Sequence, residues 1–177
     1  QTRLLGLSFL TEVAGNVCCT IAGLVLFGKS PRRYLKQAGL RVMAFNGQDK
    51  EYQALFDDII DGPIVGRWDI DHGEKRLVDG GIIERFMDAM TPFLSQEANQ
   101  IDEGLRRETK WFYPLEAVRE SLINAIAHRD WTRFVEIEAA SYSDHFEVIS
   151  PGSLPNSMTV EKMKAGQRSP RNTIVME

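Results

Sequence analysis

No stretch of this chain restricts its fold more than YPLEAVRESLINAIAHRDW, residues 113–131. Pro114 suits the first turn of a helix, where its missing N–H costs nothing. From there to about Arg129 no residue breaks a helix. At ~100° per residue, Leu115, Val118, Leu122, Ala125 and Ile126 share one side, which predicts a helix packed on a sheet. Glu120, Asn124 and His128 recur every four residues on roughly the opposite side, so they form a near-axial row. A solvated face is the ordinary fate of such a row. The small side chains of Ala117, Ser121 and Ala127 beside it would leave room for something bulky, and the row is useful chemically only if it looks into an unfilled hollow.

The composition suits an ordinary globular chain. Its 177 residues are 43% hydrophobic with a net charge of -4, enough for one domain or two small ones and without a global basic signature for nucleic acid. Cys18 and Cys19 are adjacent and the only cysteines, which disfavours a disulfide framework or structural zinc and points to a reducing cytoplasm. The apolar run Cys18–Phe27 is about half the length that spans a bilayer, so no membrane partner is expected.

Along the chain, Leu4 to about Val13 reads as a short helix stopped by Gly15 and Asn16. Thr20–Gly28 is buried but ambiguous between helix and strand. Gly23 to Ser30 matches the P-loop pattern letter by letter, yet Leu24–Phe27 wants burial and Pro31 follows at once, so a chance match is the better reading. Lys29, Arg32, Arg33 and Lys36 form the most basic short segment and could meet phosphates. Leu40–Phe45 reads as a strand, with an edge strand near Ile59 and Ile60. Asp69, Asp71, His72 and Glu74 lie in a hairpin pattern around a His-Gly turn, a simpler reading than a metal site. Gly80-Gly81 punctuates the chain before an apolar stripe at helical spacing, Ile82–Leu94. Residues 95–110 read as a strand or arm, 134–142 and 146–150 as a hairpin, and 158–165 as a short helix.

RESLINAIAHRDW, followed by that hairpin and then SPGSLP and GQRSPRN, resembles the ATPase-like module of the RecG-related ATP-dependent helicase and Schlafen-like transcriptional-regulator family, a divergent branch of the GHKL ATPases. TIAGLVLFGKSPRRYLKQAGLRVMAF resembles the connecting region ahead of that module. The resemblance implies an α+β fold: an N-terminal α/β connecting subdomain over residues 1–80, then a partial GHKL-like two-layer helix-on-sheet module over residues 81–177, expected to be a C-terminally truncated piece of a longer protein. It implies ATP and Mg2+ as ligands. Glu120 would polarise the attacking water and Asn124 would ligate the metal, roles that suit a carboxylate and a hard carboxamide oxygen. His128, Ser150, Gly152, Arg168 and Arg171 would complete the nucleotide site, and DNA would be met through regions outside this stretch, with a homo-oligomer compatible with the family. Where the family's superfamily has Asp-x-Gly-x-Gly, this chain has Ser150 or Pro151 in place of the Asp and only Gly152 of the glycines. That departure favours a second reading, a degenerate interaction module that positions a DNA-binding domain without nucleotide. Asn172 reads equally as part of the lid or as the N-cap of a following helix.

Overall fold

The structure is a computed structural model that describes residues 1–101, 107–154, 158–167, 169 and 171–172. In chain order the elements are α1 (Thr2–Gly6), β1 (Leu10–Val13), β2 (Asn16–Cys19), α2 (Ile21–Phe27), two 3₁₀ turns (Pro31–Arg33 and Lys36–Ala38), β3 (Leu40–Ala44), β4 (Phe56–Ile60), β5 (Arg67–Asp71), β6 (Glu74–Asp79), α3 (Ile82–Leu94), β7 (Ser95–Ile101), β8 (Arg107–Trp111), α4 (Leu115–His128), β9 (Ile137–Ser141), β10 (Phe146–Ile149) and α5 (Val160–Lys164).

The fold is α+β, and its centre is a four-stranded sheet in the order β10-β9-β3-β4. Both outer pairs are antiparallel. The middle pair, β3 with β9, is parallel, setting Leu40 beside Ile137, Val42 beside Ala139 and Ala44 beside Ser141. The sheet therefore draws two strands from each side of the Gly80-Gly81 punctuation.

Alternation along the strands gives the sheet two unlike faces. Leu40, Val42, Ala44, Ile137 and Ala139 face α3 and α4, where Phe86, Met90, Leu94, Val118, Leu122 and Ile126 complete the main core. The apolar sides of both helices follow the spacing of the sequence. On the other face Met43, Phe45, Ala140 and Tyr142 make a smaller cluster with Ala54 against it. Beside it Arg41 binds Asp57 through two guanidinium nitrogens, at 3.0 and 2.7 Å. That pair holds Asp57 below the ordinary carboxylate range, chiefly through the hydrogen bond from Arg41.

The N-terminal helix expected over Leu4–Val13 is much shorter. It ends at Gly6, and β1 turns back into β2 through Ala14 (φ 51) and Gly15 (φ 78). Two successive residues at positive φ make the tight turn whose twist matches a hairpin, and this turn chemistry outweighs the helix-like spacing of the leucines. The ambiguous segment after it is the helix α2, capped by Thr20, whose hydroxyl accepts from the Gly23 N–H at 3.1 Å. A Cβ on Gly23 would stand 2.0 Å from the Phe9 carbonyl oxygen, so only glycine allows the helix this close to the preceding chain.

Gly28-Lys29-Ser30 consequently follows the C-terminal end of a helix. Carbonyls face outward there, the reverse of the amide cradle a P-loop needs. The expected hairpin at residues 67–79 forms as β5 and β6, and among the described residues no group of three or more His, Cys, Asp or Glu could hold a metal ion. No helix of the described residues is long and apolar enough to cross a membrane.

Leu122 is fully buried between α4 and the sheet. Leu122→Ala should cost roughly 2–5 kcal/mol of unfolding free energy, read as a lower urea midpoint at unchanged slope.

Candidate functional site

Helix α4 is fixed by one face and free on the other. Val118, Leu122, Ala125 and Ile126 are buried, whereas Glu120 and Asn124 are exposed. The Asn124 amide nitrogen donates to Glu120 Oε1 at 2.9 Å. Only the NH2 side of the carboxamide can donate to a carboxylate, so this bond orients Asn124 and leaves its oxygen available to a cation. The pair thus stands on an open face among the described residues, and the unfilled hollow expected beside the row is not found there, a finding that counts against the nucleotide reading. His128, the last residue of the helix, is half-buried. Ala127, expected to flank the row, is buried at 1% exposure, and its carbonyl accepts from both the backbone N–H and the side chain of Asn172.

That end is fastened by residues distant in sequence. Ser150 Oγ donates to the Ala125 carbonyl at 2.8 Å, and the Asp130 N–H donates to the Pro151 carbonyl at 2.8 Å. Asn172 donates from its side chain to the carbonyls of Ala127 and Arg129, at 2.8 and 2.9 Å. Its carboxamide thereby satisfies carbonyls that a helix terminus leaves unpaired. Gly152 has φ +132, and a Cβ there would come within 2.9 Å of Asp130 Cβ, so both backbone and space require glycine.

Asp130 gathers the rest. Its carboxylate accepts from the Thr132 hydroxyl at 2.6 Å and the Thr132 N–H at 3.0 Å, and pairs with Arg171 at 3.0 Å. The Thr132 bonds, ahead of the nearby arginines, hold Asp130 below the ordinary carboxylate range. Arg171 also donates to the Ser153 carbonyl at 2.6 Å. Among the expected nucleotide-site residues, Ser150, Gly152 and Arg171 thus converge on the C-terminal end of α4, with Glu120 and Asn124 higher on its outer face. Arg168 lies outside the described residues.

One residue of this junction was not expected to be structural. Arg129 is 1% exposed. Its guanidinium donates to the backbone carbonyl of Gln37 and to that of Val135 at 2.9 Å, and lies over the Trp131 ring with its centre 4.2 Å from the centroid. The Gln37 side chain answers with a bond to the Trp131 carbonyl at 3.0 Å. Burial pushes Arg129 down to about 10, so it stays charged at neutral pH. The periodicity of α4 carried the signal, since Arg129 continues the buried line of Leu122 and Ile126.

The basic segment is partly committed as well. Arg32 bonds Glu136 at 3.1 Å and the Lys36 carbonyl at 3.1 Å.

Residues 135–177 match the family model described as "Putative ATP-dependent DNA helicase recG C-terminal". That stretch is similar to a RecG-related, ATPase-like region. It covers less than half of the chain and begins after α4, so it includes Ser150, Gly152 and Arg171 but neither Glu120 nor Asn124. Among solved structures, the DIP2311 protein from Corynebacterium diphtheriae is similar over 98% of this chain at a TM-score of 0.64 and 20% identity. At that identity the likeness is one of fold. The chain spans 30% of that protein's length. No curated protein matches the chain.

Two outcomes follow from this junction. Arg129→Ala should lower stability by at least about 3 kcal/mol, since two buried carbonyls lose a charged donor, measured by urea unfolding followed at Trp131. The Asp130 carboxylate has a folded pKa below its unfolded value, so its clamp on Arg171 and Thr132 is fully present above about pH 3.9. It should be lost only as the pH falls through the lower folded value, seen as late acid shifts of the Thr132 and Arg171 amide resonances.

Proposed function

We propose that this chain is the nucleotide-binding part of a cytoplasmic, DNA-linked regulator or helicase-related protein, with magnesium-bound ATP held on the outer face of α4. The observation that carries the reading is the Glu120–Asn124 hydrogen bond of 2.9 Å on the exposed side of a helix whose other side is locked in the core. A carboxylate and a carboxamide are presented together on a rigid support, next to a RecG-related, ATPase-like segment.

The residues fit the ligands chemically. Asn124 keeps its oxygen for a hard cation. Magnesium, when bound, would supply charge neutralisation for the phosphates, with Asn124 as the residue that would hold it. Glu120 is placed to orient a water and take its proton, which is what slow hydrolysis requires. Ser150 spends its proton on the Ala125 carbonyl and so meets other groups as an acceptor, the role needed toward an adenine amino group. The positive φ of Gly152 brings backbone close to the helix end. His128 closes the row, and Arg168 and Arg171 supply planar cations for phosphate. The GHKL kinship suggested by the motif string belongs to this proposal, as do DNA contact through other regions and self-association.

A second reading rests on a specific observation. Glu120 and Asn124 face outward with no hollow beside them, Arg171 is already engaged by Asp130 and by the Ser153 carbonyl, and Ser150 offers no carboxylate. A module with these contacts could serve as a rigid platform for a DNA-binding domain and bind no nucleotide.

Calorimetry of the full-length protein with ATP, with and without magnesium, separates the two. Asn124→Ala should weaken the magnesium-dependent binding by roughly tenfold or more, while Glu120→Ala should keep binding and abolish phosphate release. Both positions are exposed, so neither variant should change the unfolding midpoint appreciably. Absence of heat and of thermal shift with any nucleotide would overturn the nucleotide reading and favour the platform.

A further inference from the structure

A cavity of about 410 Å³ opens at the opposite end of α4 from Ser150 and Gly152, where the parallel strands β3 and β9 end. The 14-residue helix separates the two places by ~20 Å at ~1.5 Å per residue. The space beyond the carboxyl ends of parallel strands is where open sheets commonly hold ligands, and the volume is that of a small-molecule site.

Its lining is one-sided in charge. Phe45, Phe93, Phe112, Tyr113 and Tyr142 supply aromatic rings, and Asp144 is the charged side chain among the lining residues; no lysine, arginine or histidine of the described residues lines it. The aromatic wall is braced, since Tyr142 stacks on Phe45 at 5.3 Å and on His145 at 4.4 Å between ring centroids. Asp144 is fixed at one oxygen by His145 Nδ1, 2.7 Å away. Its charge reaches the cavity: burial first, and Asp144 second, raise the Tyr113 phenol above its ordinary value.

Aromatic faces are negative and attract cations, the more so beside a carboxylate, and Phe112 and Asp144 are both exposed and so accessible to a ligand from solvent. Phosphate would be repelled by Asp144 and would find no cationic side chain among the described lining residues. A bare divalent metal is disfavoured, since Asp144 is the one carboxylate of the lining and no group of three or more His, Cys, Asp or Glu among the described residues could hold a metal ion. We propose that this cavity is a binding site for a small alkylammonium cation, separate from the nucleotide face, held between the rings of Phe112 and Tyr113 and the carboxylate of Asp144. The same head group occurs in a free amine and in a methylated lysine side chain.

The full chain titrated with choline, followed by amide NMR, tests this. Choline should shift Tyr113, Ser143 and Asp144 saturably, and its uncharged isostere 3,3-dimethylbutan-1-ol should bind at least about tenfold more weakly. Asp144→Asn and Phe112→Ala should each weaken choline by a similar factor, and Asp71→Asn on the separate β5–β6 hairpin should not. A trimethyllysine peptide that binds more tightly than choline assigns the cation to a protein side chain; equal or weaker binding assigns it to a free amine. Equal affinity for choline and the alcohol, shifts scattered over other acidic residues, or no shift at all overturns the proposal. None of these outcomes depends on whether ATP binds.

Discussion

The buried guanidinium of Arg129 is the constraint on which the arrangement of the helix and the sheet depends. A cation at 1% exposure is tolerated only where most of its donors are used, and here its two terminal nitrogens reach the turn before β3 at Gln37 and the approach to β9 at Val135, while Nε is buried without a partner among the described residues. Those are the segments that lead into the two parallel strands at the centre of the sheet. The same residue ends α4, so one side chain sets where the helix stops and how both strands enter. The Trp131 ring covers the cation in place of water, a stacking that suits a planar guanidinium better than an ammonium.

With that end fixed, the outer face of α4 is held in one orientation. The contacts of Ser150, Pro151 and Asn172 with the last turn tie the segment after β10 to the same place. Residues that the nucleotide reading assigns to the base and the phosphates are therefore also the fasteners of the helix. A junction that serves both purposes would couple nucleotide occupancy to the position of whatever follows α5, through Arg171 exchanging Asp130 for phosphate.

Much of the architecture was legible in local pattern. The stripe over Ile82–Leu94, the Pro114 start of α4, and the alternation in β5, β6, β9 and β10 each follow from periodicity and turn residues. Local pattern cannot announce a partner nearly a hundred residues away, so the parallel pairing of Leu40–Ala44 with Ile137–Ser141 was not foreseeable. The leucines near the N-terminus have helical spacing, but Ala14-Gly15 decides for a hairpin. At the candidate site the Glu120–Asn124 pairing follows from four-residue spacing alone. The use of Asn172 as a cap for α4 does not, because its target lies 45 positions earlier. Arg129 was readable in principle, since burial follows helical phase whatever the side chain; its charge disguised it as surface.

The nucleotide reading requires a metal-nucleotide complex at Asn124 and Glu120. Manganese, a paramagnetic stand-in for magnesium, locates such a complex directly through the broadening of nearby resonances. The account predicts that Mn2+ with ATP broadens the Asn124 side-chain NH2 signal first, and that Mn2+ alone at the same low concentration leaves it sharp. Broadening centred elsewhere, or an Asn124 signal indifferent to the pair, would contradict it.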